Sequence, residues 1–251
     1  MMQIEVRLLG PAHVTCDGTG IESRLSAQTL RLLAMLVCRP QDRITREDVA
    51  FALWTDHTEA EARANLRRHL YRLQQSLSPA TRPWFVADMK TLRWAAPGET
   101  TVDALEFERL GKNPASMEQA LELYRGDFMP SVEDEWAGAI RERLRRRWFR
   151  CLEEAIRRCR DESDELGMLR YVELLLKADP WREDALRELM LLRYRLGDRA
   201  GALAYFRDFS GRLKSEFDAD PMPETLTCRE LIARGGQPHE NRGFERRFAV
   251  A

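Results

Sequence analysis

Beyond PGET at residues 97–100, apolar residues recur at α-helical spacing as far as about Ala233. Seven segments carry the pattern: 103–111, 116–125, 133–160, 165–178, 182–196, 199–217 and 223–233. Their joints are short, which makes consecutive helices antiparallel neighbours. Two stretches echo each other, LLLKADPWREDALRELM and RLKSEFDADPMPETLTCRELI. In each, a helix ends at Ala-Asp-Pro or Asp-Ala-Asp-Pro and another begins beyond the proline. Helix pairs repeated in this way bury their apolar faces only by stacking. The expectation is a tetratricopeptide-like all-α repeat domain over 102–233.

Ahead of PGET the pattern is mixed. Residues 3–9, QIEVRLL, alternate as a strand does, and Pro11 breaks them. A second short strand, 12–16, leads into Asp17-Gly18, a hairpin signal, with a third strand at 20–22. Ser26 reads as the cap of a helix over AQTLRLLAMLVCR, which Pro40 ends, and Thr45 as the cap of REDVAFALW. TDHTEAE reads as a loop before a third helix, EARANLRRHLYRLQQSL, at 61–77. WFVADMKTLRWAA then reads as strand, turn at Asp88-Met89-Lys90, strand. Short strands, three helices and a closing hairpin describe a winged helix-turn-helix over 1–96. The fold class is therefore mainly α: an α+β winged helix followed by helical repeats. The last stretch, 234–251, is rich in glycine, arginine and polar residues and reads as a disordered tail.

The third helix carries the functional signal. Leu66, Leu70, Leu73 and Leu77 form one apolar stripe. Arg68, Arg72, Ala64, Tyr71 and Gln75 point away from it, while Arg63, Asn65, Arg67 and His69 lie on its flanks. Tyr71 reads either as part of the exposed face or as a cover for the helix–wing joint. Seven basic residues between Arg63 and Arg93 face one acid, Asp88, in a chain of formal net charge -1. A local positive patch in a balanced chain suits a localised anionic partner. Arginine suits guanine and phosphate, and Asn or Gln suits adenine. The candidate contacts are Arg63, Asn65, Arg67, Arg68, His69 and Arg72 on the helix, with Lys90, Thr91 and Arg93 on the hairpin. A second run, RERLRRRWFRCLEEAIRRCR, is interleaved with acids and reads as a solvated face with i,i+4 pairs.

Other chemistries find no footing. The histidines His13, His57, His69 and His239 lack metal-ligand spacing, and no CxxC pair occurs. Cys16, Cys38, Cys151, Cys159 and Cys228 read as reduced thiols. GxxxxGK[ST], HExxH and GxSxG are absent. No metal, cofactor or catalytic residue is expected, and the chain is read as a non-enzyme. With no apolar run of 18 residues and no signal-peptide pattern, a cytoplasmic protein without a membrane partner is expected. Trp54, Trp94, Trp136, Trp148 and Trp181 read as core or joint anchors.

VRLLGPAHVTCDG, ITREDVAFALW, EARANLRRHLYRLQQSL, VDALEFERL, LYRGDFMP, EDEWAGAIRERL and the region from KADPWREDALRELM through DADPMPET, in that order, resemble the bacterial transcriptional activators of the SARP class. These join an OmpR-type winged helix to a helical bacterial transcriptional activation domain. The resemblance covers roughly residues 3 to 233. It implies that 61–77 is a recognition helix and that two protomers bind promoter direct repeats side by side as a homodimer on double-stranded DNA. It also implies contact with RNA polymerase holoenzyme, including its sigma factor. The wing turn lacks the glycine often found there. No ATPase module or receiver domain is present, so the chain resembles a stand-alone short form. Two alternatives stay open. One is a protein-interaction scaffold built on the helical repeats. The other is a ligand-controlled repressor built on the same two domains.

Overall fold

The computed structural model describes residues 3–39, 43–77, 83–96 and 98–236. The tail expected to be disordered lies, from residue 237 on, outside the described residues, as do Pro40, Pro79 and Pro97. Two compact units divide the chain, Met1–Cys151 and Leu152–Ala251.

The first unit opens with strands β1 (Gln3–Arg7), β2 (His13–Cys16) and β3 (Thr19–Gly20), antiparallel in turn. Asp17 and Gly18 make the β2–β3 turn with φ of 49° and 76°, the left-handed pair that a two-residue hairpin requires. Helices α1 (Ala27–Val37), α2 (Arg46–Leu53) and α3 (Glu59–Ser76) follow, with the two-residue strand β4 (Ile44–Thr45) before α2. Ser26 and Thr45 cap α1 and α2 through their side-chain oxygens, as their positions predict. α1 is buried from Leu32 through Val37, on more than one face. It packs against α2 and α3, and also against the closing hairpin of β5 (Phe85–Ala87) and β6 (Thr91–Trp94). β4, β6 and β5 form a three-stranded antiparallel sheet, the wing of a winged helix.

Residues just past PGET belong to the same unit. Strand β7 (Glu99–Val102) pairs parallel with β1, from Gln3↔Glu99 to Val6↔Val102. The sheet order is therefore β3-β2-β1-β7. In sequence PGET, 97–100, reads as a linker and Val102 as the start of the helical domain; the strand joins the end of one to the start of the other. Glu99–Val102 is a strand because Thr100, Thr101 and Val102 are β-branched and β1 offers a free edge. Trp94 Nε1 donates to Thr100 Oγ1 at 3.0 Å, across the break.

Asp103 opens α4 (Asp103–Leu110) and is buried. Its carboxylate accepts from Leu8 N at 2.7 Å and Leu9 N at 3.0 Å. Burial raises its pKa, an effect that these backbone donors partly offset. Gly10, at φ 97°, then lets the chain pass close to Arg125 and Gly126. α5 (Met117–Leu123) packs on α4, and α6 (Glu135–Asp161) runs across the boundary of the two units. Asp134 Oδ2 accepts from Arg31 Nε at 2.7 Å, tying α1 to the start of α6.

The second unit holds α7 (Glu165–Ala178), α8 (Glu183–Arg195), α9 (Arg199–Phe217) and α10 (Pro223–Arg234). Its core gathers Leu186, Met190, Ala202, Phe209, Cys228 and Ile232. A repeat stricter than the Ala-Asp-Pro echo is built into its turns. Asp164 caps α7 by accepting from Gly167 N at 2.9 Å, and Asp198 caps α9 by accepting from Gly201 N at 2.8 Å. These Asp-x-x-Gly motifs lie 34 residues apart, the tetratricopeptide period. A Cβ at either glycine would collide with the capping carboxylate. The architecture is mainly α, a winged helix-turn-helix followed by tetratricopeptide-like repeats.

Candidate nucleic-acid interface

α3 starts earlier than its sequence suggests. Thr58 and Glu61 form a reciprocal capping box: Thr58 N donates to Glu61 Oε2 at 2.9 Å, and Glu61 N donates to Thr58 Oγ1 at 3.4 Å. The Thr58 hydroxyl also donates to Glu61 Oε2 at 2.7 Å, and this bond, with that from Thr58 N, holds the Glu61 carboxyl below its ordinary pKa. Read as loop, TDHTEAE already contains the Thr-x-x-Glu signature. The leucine stripe seats the helix, with Leu66, Leu70, Leu73 and Leu77 all buried.

His69 is buried with them, which corrects its place among the DNA-facing candidates. Its Nδ1 lies 3.0 Å from Thr29 Oγ1, and its ring centroid lies 5.5 Å from that of Trp54. Burial, and then the charges of Arg72 and Arg68, lower its pKa. A flank position on a helical wheel faces whatever packs there, and here α1 and Trp54 close over it.

Arg63, Arg67, Arg68 and Arg72 are exposed and Asn65 is half-buried. Arg63 pairs with Glu59 one turn earlier. Asn65 Oδ1 accepts from Arg68 Nη2, which fixes the two side chains together. Among the described residues, no carboxylate pairs with Arg67, Arg68 or Arg72. Tyr71 is 67% exposed, on the outward face of α3, and the helix–wing joint at 78–82 lies outside the described residues.

The wing turn is shaped by Asp88 where a glycine is often found. Asp88 Oδ1 accepts from Lys90 N at 2.8 Å and Thr91 N at 2.6 Å, and Oδ2 accepts from Thr91 Oγ1 at 2.7 Å. These donors bring its pKa down to about 2, so it stays ionised and keeps the turn closed. Thr91 is thus half-buried and holds the turn, with its hydroxyl proton committed to Asp88. Lys90 is exposed beside Met89 at the tip, and Arg93 is half-buried on β6. Sequence reading missed Arg46. Its backbone N donates to Lys90 O at 2.8 Å, and its Nη1 to Asp88 O at 3.3 Å. Continuing the β4–β6 register beyond Thr45↔Thr91 sets Arg46 opposite Lys90, and continuing it beyond Ile44↔Leu92 sets Arg43 opposite Arg93. The signal was long-range pairing, which no local window contains.

A second concave feature lies in the helical unit. A groove of about 400 Å³ between α7, α8 and α9 is lined by Leu176, Pro180, Leu189, Tyr205 and Phe209 among others. Trp181, expected as an anchor, is 37% exposed, with its ring 4.7 Å from that of Phe217. Among the described residues, no cluster of His, Cys, Asp and Glu could hold a metal ion, and no helix is long and apolar enough to cross a membrane.

Residues 95–232 match the bacterial transcriptional activator domain. The chain is 26% identical over 238 residues to regulatory protein AfsR of Streptomyces coelicolor, covering 90% of this chain and 24% of that protein. It is 26% identical over 242 residues to AfsR of Streptomyces griseus, covering 92% and 24%. It therefore spans about a quarter of the length of these curated relatives. Among solved structures, Mycobacterium tuberculosis EmbR, in complex with a low-affinity phosphopeptide, shares the fold. Its TM-score is 0.65 at 20% identity, over 99% of this chain and 70% of that one. On the match over more than half its length, and with the winged helix that precedes the matched region, the chain belongs to the bacterial transcriptional activator domain family, in the SARP class of regulators.

Proposed function

We propose that this protein is a sequence-specific DNA-binding transcription activator. The observation that carries the reading is the exposed face of α3, where Arg67, Arg68 and Arg72 have no carboxylate partner among the described residues, opposite a buried leucine stripe. In this reading α3 enters the major groove. Arg63, Asn65, Arg67, Arg68 and Arg72 contact bases and phosphates. Lys90 and Arg93, joined by Arg46, hold the backbone beside the wing, while Thr91 and Asp88 shape the turn. The functional division we propose assigns DNA contact to 1–96, and activation to 102–233 through RNA polymerase and its sigma factor, with two protomers pairing on direct repeats.

The test is fluorescence anisotropy of the full chain on promoter duplexes across a salt series. Each phosphate neutralised contributes a slope of about -0.9 in log K against log salt, so roughly four to six contacts per protomer are expected. A fragment that extends through β7 and the first turn of α4, and so keeps the β1 pairing and the Asp103 acceptor, should bind a half-site more weakly than the full chain binds the repeat. Binding to promoter fragments no tighter than to random DNA at moderate salt would sink the reading. The groove between α7, α8 and α9 favours a second reading, a peptide or effector site in the helical unit. A scaffold of that kind would keep its partner when Arg68 and Arg72 are replaced by alanine.

A further inference from the structure

The exposed face of α3 is not uniformly cationic. At about 100° per residue, Ala64 lies within about 20° of Tyr71 on the helical wheel. Arg67 and Arg63 fall about 40° and 80° to one side, and Arg68 and Arg72 about 60° and 100° to the other. Leu66 and Leu73 lie about 140° and 160° away, on the buried side. The midline of the face is therefore apolar, carried by Ala64 and Tyr71, between two cationic rows. A single exposed tyrosine is ordinary on a protein surface. Its position here is what matters: no described element covers a ring that is 67% exposed at the centre of four arginines.

We infer that Tyr71, with Ala64 two turns earlier, reads thymine through its 5-methyl group. This rests on the proposal that α3 enters DNA. The major groove supplies the matching pattern: phosphates along both walls, and on its floor one apolar feature, the thymine methyl. Cationic rows suit the walls, and an apolar midline suits the floor. Polar base edges would leave the Tyr71 ring face without a partner, whereas a methyl group packs against it. Seven residues at a rise of about 1.5 Å set Ala64 and Tyr71 about 10 Å apart along the helix, so the two readings fall at most about three base pairs apart. Ala64 adds no bulk of its own and lets the helix approach the groove closely.

The full chain selects its site from random-sequence duplexes, and each thymine of the enriched site is then replaced singly by deoxyuridine, which lacks only the methyl. For the unaltered chain, at least one replacement should weaken binding by about fourfold, the factor for burying one methyl-sized group. Tyr71→Ala should abolish that sensitivity at one position, and Tyr71→Phe should keep it. Because the side chain is exposed, neither change should lower Tm, and a melting curve checks this. A Tyr71→Ala chain that retains every uracil sensitivity overturns the assignment. So does a Tyr71→Phe chain weakened equally on all sequences, which marks a hydroxyl–phosphate contact instead. Selection that enriches no sequence overturns the DNA-binding reading itself, an outcome distinct from enrichment without Tyr71-dependent thymines.

Discussion

Two helices of this protein are dense in arginine, and they handle that charge in opposite ways. On α6, Arg143 pairs with Glu108 at 2.9 Å, Arg146 with Glu142 at 3.5 Å, and Arg158 with Glu162 at 2.9 Å. Arg157 pairs with Glu154 and Arg160 with Glu188. Arg141 donates to the carbonyls of Phe128, Met129 and Val132. On α3, by contrast, Arg67, Arg68 and Arg72 face outward without a carboxylate among the described residues. Arginine density alone is therefore a poor guide to a nucleic-acid surface. What separates the helices is the placement of acids at i±3, i±4 and on packed neighbours, which gives Arg143, Arg146, Arg157, Arg158 and Arg160 of α6 a carboxylate each and leaves Arg67, Arg68 and Arg72 of α3 without one among the described residues.

The largest expected effect is on affinity. Arg68→Ala or Arg72→Ala should cost about 1–3 kcal/mol of DNA binding and relax preference at one base pair. Arg143→Ala or Arg157→Ala should change it by less than about 0.5 kcal/mol. Anisotropy titrations on the selected site decide this, and equal losses from both helices would dissolve the contrast.

The reverse ordering should hold for folding. Arg160→Ala removes a pair in which the Glu188 side chain is only 16% exposed, and should cost about 0.5–1 kcal/mol in urea unfolding. Arg67→Ala should stay within about 0.5 kcal/mol of the unaltered chain. A stability loss for Arg67→Ala as large as that for Arg160→Ala would mean that Arg67 has a structural partner.

A smaller effect concerns the hidden side of α3. His69 has its pKa lowered by burial and by the charges of Arg72 and Arg68. The unfolded chain then binds a proton more readily below the ordinary value of 6.5 than the folded one does. Stability should therefore fall as pH drops from 6.5 through the folded pKa, and level off below it. His69→Asn, which keeps a group able to bond Thr29, should flatten that part of the Tm profile. An unchanged profile would show that His69 takes up its proton as freely folded as unfolded.

Much of this was legible in the sequence. Helices beyond residue 102 fall within two residues of their expected bounds, because long amphipathic repeats state their period many times over. The leucine stripe and the caps at Ser26 and Thr45 are local signals and read true. What stayed hidden depended on partners distant in the chain. Glu99–Val102 is a strand because of β1, His69 is buried because of Thr29 and Trp54, and Arg46 joins the wing through β6. The Thr58 cap was missed differently: its signature was present, but the surrounding polar run resembled a loop.

Asp103 gives the protein a property that matters to anyone moving its parts. The break at PGET looks like a place to cut, and a chimera joined there would carry every candidate DNA-contacting side chain onto a new scaffold. It would also leave β1 with a bare edge, open to pairing with another chain. Leu8 and Leu9 would each hold a buried N–H with no acceptor, at about 1–3 kcal/mol apiece. A graft that keeps its own lock must extend through β7 and the first turn of α4. Exchange of DNA specificity among such regulators is thus simpler by resurfacing α3 in place than by transplanting the segment that bears it.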